Sequence, residues 1–230
     1  MWPTTMLKNG LKIYKDSHIF ITDFKNGIMP LNSDTGEVMP FLATEGPGFF
    51  KGVKDLVFTS NGDPFFTDQG LTGQHDPTGR LFRYTVDGQL HCLLETVPSP
   101  NDLVLNLEEN LVCLNVTRTN AVWRVSLLSD GGNMKVGTFI QPSGGHGGPD
   151  GLAMDTQGNL VMVYVGIGAV WVFLGLGKPL DRIRSCEGLS TTNLAFGGPD
   201  NQTLYITDSD SGCILQCELS IADWTMYSHM

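Results

Sequence analysis
The sequence predicts an all-β chain of the propeller class, with five blades of four strands. Three observations carry that prediction. A short apolar strand opened by a polar residue recurs along the chain. Its recurrences are almost evenly spaced. No stretch keeps the 3.6-residue periodicity of a helix.

The repeat units follow in order. The first is Asn9-Gly10-Leu11-Lys12-Ile13, then the turn Lys15-Asp16-Ser17 and the strand His18-Ile19-Phe20-Ile21. The second is Lys54-Asp55-Leu56-Val57-Phe58, a turn at Ser60–Asp63, and Phe65-Phe66-Thr67-Asp68. The third is Asn101-Asp102-Leu103-Val104-Leu105 followed by Leu111-Val112-Cys113-Leu114. The fourth is Asp150-Gly151-Leu152-Ala153-Met154, a turn at Thr156–Asn159, and Leu160-Val161-Met162-Val163. The fifth is Asn193-Leu194-Ala195-Phe196, a turn at Pro199–Asn201, and Leu204-Tyr205-Ile206-Thr207. A third strand closes each unit, at Gly27–Met29, Leu81–Tyr84, Ala121–Arg124, Ala169–Val172 and Cys213–Gln216. The leading residues are 45, 47, 49 and 43 positions apart. A period of about 40–50 residues with several strands per unit is a propeller signature. A β-sandwich is the alternative, and it imposes no such period.

In a propeller the first strand of each blade lines the central channel. The residue opening that strand sits at one mouth. The repeat therefore predicts a polar ring of Asn9, Lys54, Asn101, Asp150 and Asn193. Buried polar groups without partners are costly, which favours a pocket. Asn and Asp can also cap the strand backbone, and for any one residue that reading stays open.

Composition bounds the function. The 230 residues include 41% hydrophobic and 17% charged side chains, which describes a globular chain, read as a single domain over residues 1–230. A formal net charge of -10 argues against nucleic-acid and anionic-membrane partners. No run of about 20 apolar residues spans a bilayer, and residues 1–10 hold no signal-peptide core. The expected location is cytoplasmic. The five cysteines are scattered and odd in number, as free thiols are. The glycosylation triplets at Asn115 and Asn201 are read as chance matches.

Several of these segments resemble the repeat motifs of the gluconolactonase and senescence-marker-protein family. They are Ser99-Pro100-Asn101, Gly148-Pro149-Asp150-Gly151-Leu152-Ala153 and Thr192-Asn193-Leu194-Ala195-Phe196-Gly197-Gly198, with Asn9–Ile13, Phe65–Gly70 and Thr117–Arg124. The resemblance runs from about Asn9 to about Glu218. It implies a propeller, six-bladed in that family, that binds one divalent cation, usually calcium, and hydrolyses lactones or organophosphates. The implied ligands are a Glu in an early Glu-Gly-Pro, two Asn and an Asp. Asn101 matches one Asn and Asp150 matches the Asp. Lys54 stands where the other Asn belongs. The Glu belongs to a first blade that this sequence does not contain. Glu45-Gly46-Pro47 is read as a coincidence. Without that blade, closure as five blades is expected; a homo-oligomer covering an open edge and a fragment of a longer product are the alternatives.

Losing two oxygen ligands weakens calcium binding, so no cofactor is expected; were calcium retained, Asn101 and Asp150 would hold it. Lys54 either supplies the missing positive charge, pairing with Asp150 and Asn101, or points to solvent at the rim. The candidate catalytic residues are Lys54, Asn101, Asp150 and His146, the last on the loop Gly144–Gly148 with a pKa suited to proton transfer. The candidate substrate contacts are Asn9, Asn193, Asp102 and Trp171; interblade packing is the other use of Trp171. Three functions follow. The expected one is a metal-independent enzyme binding an apolar carbonyl compound, with cyclisation or cycloaddition in secondary metabolism as its chemistry. The alternatives are a calcium-dependent lactone hydrolase and a non-catalytic binding propeller.

Overall fold
The structure is a computed structural model, and it describes residues 8–15, 18–42 and 50–224. Among these residues every regular element except one 3-10 turn is a strand. The fold is the five-bladed β-propeller that the repeat predicts. The first blade holds β1 (Lys8–Ile13), β2 (Ile19–Asp23) and β3 (Gly27–Leu31). The second holds β4 (Val53–Phe58), β5 (Pro64–Asp68), β6 (Gly79–Tyr84) and β7 (Leu90–Val97). The third holds β8 (Pro100–Leu105), β9 (Leu111–Val116), β10 (Ala121–Leu127) and β11 (Asn133–Ile140). The fourth holds β12 (Gly148–Met154), β13 (Leu160–Val165), β14 (Ala169–Phe173) and β15 (Pro179–Arg184). The fifth holds β16 (Thr191–Gly197), β17 (Thr203–Asp208) and β18 (Cys213–Glu218). Strands run in sequence order across each sheet, so every blade is a meander of hairpins. Three blades have four strands; the first and last have three among the described residues.

The chain gathers into two compact units, one reaching Leu103 and the other starting at Val104. In the first unit, Phe20, Ile28, Val53, Leu56, Phe58, Phe66 and Phe82 form one core cluster. Phe66 stacks on Phe82 at 5.3 Å, and Phe20 meets Phe58 edge-on at 5.1 Å. In the second unit, one cluster joins β9 and β10 to the fourth blade and another joins the fourth blade to the fifth. Burial falls across each blade. The second strand β5 is buried at every residue, whereas the outer strands β15 and β18 hold no buried residue. A second strand has a blade on each face, so it reads as a continuous apolar run, not as an alternation.

A Thr-Asp pair ends three of the second strands: Thr22-Asp23, Thr67-Asp68 and Thr207-Asp208. All three carboxylates are buried, and each satisfies amides of nearby loops. Asp23 Oδ1 accepts from the amides of Lys25 and Asn26 at 3.0 and 2.9 Å. Asp68 Oδ1 accepts from the amides of Lys51 and Gly52 at 2.6 and 2.7 Å, and its Oδ2 accepts from Arg80 Nε at 2.8 Å. Burial acts to raise the Asp208 pKa, but hydrogen bonds from the Ser211 and Asp210 amides and the Ser185 hydroxyl outweigh it and hold the carboxyl below its usual value. A carboxyl depressed by folding stabilises the fold at pH above its unfolded pKa, about 3.9. That contribution is lost as pH falls through the lower folded value.

Two outcomes are expected from this arrangement. Asp68→Ala removes the carboxylate that Arg80 and two amides bond and should cost about 3–5 kcal/mol, the range for breaking a buried ion pair, in urea titrations monitored by tryptophan fluorescence. Asp208→Asn should remove part of the acid sensitivity of unfolding below about pH 4, read from melting temperatures at pH 3 and pH 7.

Candidate functional site
The site begins with a bulge. The pairing of first and second strands breaks register between Lys8 and Leu11, between Val53 and Leu56, between Pro149 and Leu152, and between Thr191 and Asn193. Each break falls at the residue opening the strand. A bulge re-aims a side chain and leaves backbone groups without ladder partners. A hydroxyl on the second strand fills that gap. Thr22 Oγ1 accepts from the Gly10 amide at 2.7 Å and donates to the Lys54 carbonyl of the next blade at 2.7 Å. Thr67 Oγ1 accepts from the Asp55 amide at 3.1 Å and donates to the Asn101 carbonyl. In the second unit Asn115 Nδ2 donates to the Asp150 carbonyl, and Thr117 Oγ1 donates to the Pro149 carbonyl at 2.8 Å. Thr22 and Thr67 thus each hold both the bulge of their own blade and the ring residue of the next, whereas Asn115 holds only the latter.

This bond pattern corrects one residue. The amide that donates to the second-strand hydroxyl belongs to the residue after the ring position, Gly10 or Asp55. In the fifth blade that amide is Asn193, which donates to Thr207 Oγ1 at 2.9 Å. The ring position there is Thr192, not Asn193. The Asn193 carboxamide caps the strand, accepting from the Leu194 amide at 2.8 Å. Asp55 and Asp102 do the same with the Leu56 and Leu103 amides, at 2.8 and 2.7 Å.

In the first unit the leading side chains of neighbouring blades meet. Asn9 Nδ2 donates to the Val53 carbonyl at 3.1 Å, which fixes the carboxamide. Its Oδ1 then accepts from Lys54 Nζ at 3.1 Å. Both residues are half-buried. The Lys54 ammonium is therefore directed along the ring and not away from it. Gly10 makes this approach feasible: a Cβ there would lie 2.2 Å from Asp55 Oδ1. Asn101 is buried, with its carbonyl held by Thr67.

In the second unit Asp150 is half-buried at the start of β12. His146 is exposed on the preceding loop. That loop is pinned on either side of Ser143: Asn120 Nδ2 donates to the Pro142 carbonyl at 2.9 Å and the Tyr164 hydroxyl donates to the Gly144 carbonyl. Burial pushes the Tyr164 pKa up, with a smaller opposing pull from Asn120, so the phenol stays a donor. Trp171 lies in β14, stacked near Phe173 at 6.1 Å and covered by the Arg182 guanidinium at 5.2 Å. Burial pushes the Cys113 thiol up to about 12, so it is an inert core group. Glu45-Gly46-Pro47 lies outside the described residues. Among the described residues, no group of three or more His, Cys, Asp or Glu is placed to hold a metal ion. No helix among them is long and apolar enough to cross a membrane.

The comparisons agree with the fold. The SMP-30/gluconolactonase/LRE-like region matches residues 1–210, and the chain belongs to that family. It is 28% identical over 219 residues to a lactonase, drp35, of Staphylococcus epidermidis, covering 86% of this chain and 64% of that protein. The drp35 lactonase of Staphylococcus aureus matches at 28% over 189 residues, or 76% of this chain and 55% of the relative. The chain thus spans little more than half to under two thirds of these curated relatives. Among solved structures, regucalcin, a calcium-binding protein from Agrobacterium tumefaciens, superposes with a TM-score of 0.82 at 21% identity, covering 98% of this chain and 80% of that one. A gluconolactonase from Xanthomonas campestris gives 0.78 at 19% identity, covering 95% and 73%. At those identities the structural likeness speaks for the fold.

The latch itself is testable. Thr67→Val keeps the shape of the side chain but leaves the Asn101 carbonyl without its donor and the Asp55 amide without its acceptor. Each unsatisfied buried group costs about 1–3 kcal/mol. The variant should unfold at measurably lower urea, whereas Thr67→Ser should retain most of the stability.

Proposed function
We propose that this chain opens a lactone, or a closely related cyclic ester, with the Lys54 ammonium as the group that polarises the carbonyl. The observation that carries the reading is the Asn9–Lys54 pair. The carboxamide is anchored on the Val53 carbonyl and presents its own oxygen to Nζ at 3.1 Å. An ammonium so held is a preorganised donor for an oxyanion. Its remaining protons are available to a substrate, since an ammonium carries three donors and no acceptor. The drp35 relatives are lactonases, which supports a lactone as the substrate class.

The residues at this position do not fit the calcium ion that the family resemblance implies. A divalent cation beside Lys54 would meet charge of its own sign, and lysine supplies no ligand oxygen. The chemistry proposed here therefore runs through side chains. Water adds to the lactone carbonyl carbon while the carbonyl oxygen, gaining negative charge, accepts from Lys54. A second water molecule takes the proton that the attacking water gives up. The ring C–O bond then breaks and its oxygen is protonated, releasing a hydroxy acid. Asn9 acts on Lys54 and not on the substrate. The cyclisation expected from the sequence would use the same donor, but the named relatives favour ring opening.

The test is hydrolysis of a panel of five- and six-membered lactones by the purified chain, in the presence of a chelator. Lys54→Met should lower kcat/KM about 10²–10³-fold, the cost of removing one oxyanion donor, with KM little changed and the melting temperature retained. Asn9→Ala should show a smaller loss of the same kind. Full activity in Lys54→Met, or activity lost in chelator and restored by calcium, would overturn the reading.

A further inference from the structure
The second unit carries a groove at the ends of β8 and β12 opposite to those that Asn101 and Asp150 open. It has a volume of about 520 Å³, within the range typical of small-molecule sites. It lies where the turn after β8, the turn after β12 and the turn after β14 converge. Met154, Leu160 and the inert Cys113 form its floor, and Leu107 and Phe139 its walls.

Two features of this groove are anomalous for a bare surface. The first is a turn residue. The hairpins joining third to fourth strands close with Asp87-Gly88 in the second blade and Asp130-Gly131 in the third, the glycine amide bonding back three residues to the Thr85 and Leu128 carbonyls at 2.9 Å. In the fourth blade the same turn is Leu176-Gly177, bonded to Leu174 at 2.7 Å. Leu176 is 86% exposed and lines the groove. Leucine at a position that favours aspartate gains nothing for the turn; it extends an apolar wall into solvent.

The second feature is a cation with space beside it. Arg124 on β10 pairs in register with Cys113 on one side and Gly137 on the other, so the three share one face of the sheet, and Arg124 and Cys113 line the groove. Its guanidinium has no ion-pair or hydrogen-bond partner among the described residues. Its ladder neighbour Gly137 has open space beside it: a Cβ there would touch nothing within 4 Å. Glu108, also on the groove, is exposed and its Oε2 accepts from Asn106 Nδ2 at 2.6 Å.

From the unpartnered guanidinium, the notch at Gly137 and the exposed Leu176 wall, we infer that this groove binds an amphipathic carboxylate, with the headgroup on Arg124 and the apolar chain along Leu107, Phe139 and Leu176. A guanidinium takes a carboxylate in a two-pronged geometry that an alcohol cannot reproduce. One cation at one end of an apolar trough selects a single acid group on a hydrocarbon body. The inference does not depend on the chemistry proposed at Lys54.

The experiment is isothermal titration of the full chain with decanoate, and with decanol as the uncharged control. Saturable one-to-one binding of decanoate is expected, with decanol at least about tenfold weaker, a difference of about 1.4 kcal/mol. Arg124→Gln should lose about tenfold in decanoate affinity and little in decanol affinity. Gly137→Leu, which fills open space, should abolish binding of both. Leu176→Asp, on an exposed turn, should weaken decanoate without touching the core, and so serves even if Gly137→Leu misfolds. Lys54→Met should bind decanoate as the unmodified chain does. No saturable binding, equal affinity for decanol, or unchanged affinity in Arg124→Gln and Leu176→Asp would overturn the inference.

Discussion
The structure depends on one bond, the side-chain bridge from a second strand to the first strand of the next blade. A propeller places its channel-lining residues on strands that must bulge to present them. A bulge frees an amide on its own strand and needs the neighbouring carbonyl held in place. Thr22 and Thr67 meet both demands with one hydroxyl each, and Asn115 meets the second with its carboxamide. The buried Asp that follows each of the two threonines ties down the loops at the same strand end. Interblade attachment and the placement of site residues are therefore the same interaction. A site built this way tolerates changes in the ring side chain, because what is gripped is the backbone.

That tolerance explains how a lysine can stand at the second ring position. The Lys54 carbonyl is held by Thr22 whatever the side chain is. The side chain is then free to reach Asn9, and the Asn9 carboxamide, bridged to Val53, converts a flexible ammonium into an oriented one. Orientation is what distinguishes a catalytic donor from a solvated surface charge. The same separation of backbone grip from side-chain identity lets the fifth blade carry Thr192 at this position while Asn193 serves the strand.

Much of the fold was legible in the sequence, because the blade repeat imposes a period that few other folds share. The first, second and third strands of every unit fall where their apolar runs stand. The repeat placed Asn9, Lys54, Asn101 and Asp150 at the openings of first strands, and they fall at the starts of β1, β4, β8 and β12. The ring position was missed by one residue in the fifth blade, where Thr192-Asn193 offers two polar residues and only the amide bonded to Thr207 tells them apart. The latch residues were not identified, although a signal was present: a Thr or Asn stands twelve to fourteen residues after the bulge amide in four of the five units. A threonine among β-branched strand residues reads as a strand former, and its second task emerges only from the neighbouring blade. The groove at Arg124 was invisible for a similar reason, since its three turns are far apart in sequence.

The measurement that bears most directly on the central claim is calcium affinity, by isothermal titration of chelator-dialysed protein, for the unmodified chain and for Lys54→Asn. If the ammonium stands in for a cation, the unmodified chain takes up no calcium at micromolar concentrations, and exchanging the ammonium for an oxygen ligand yields measurable binding. Tight stoichiometric calcium in the unmodified chain, lost in neither form, would contradict the account and return the site to metal-dependent chemistry.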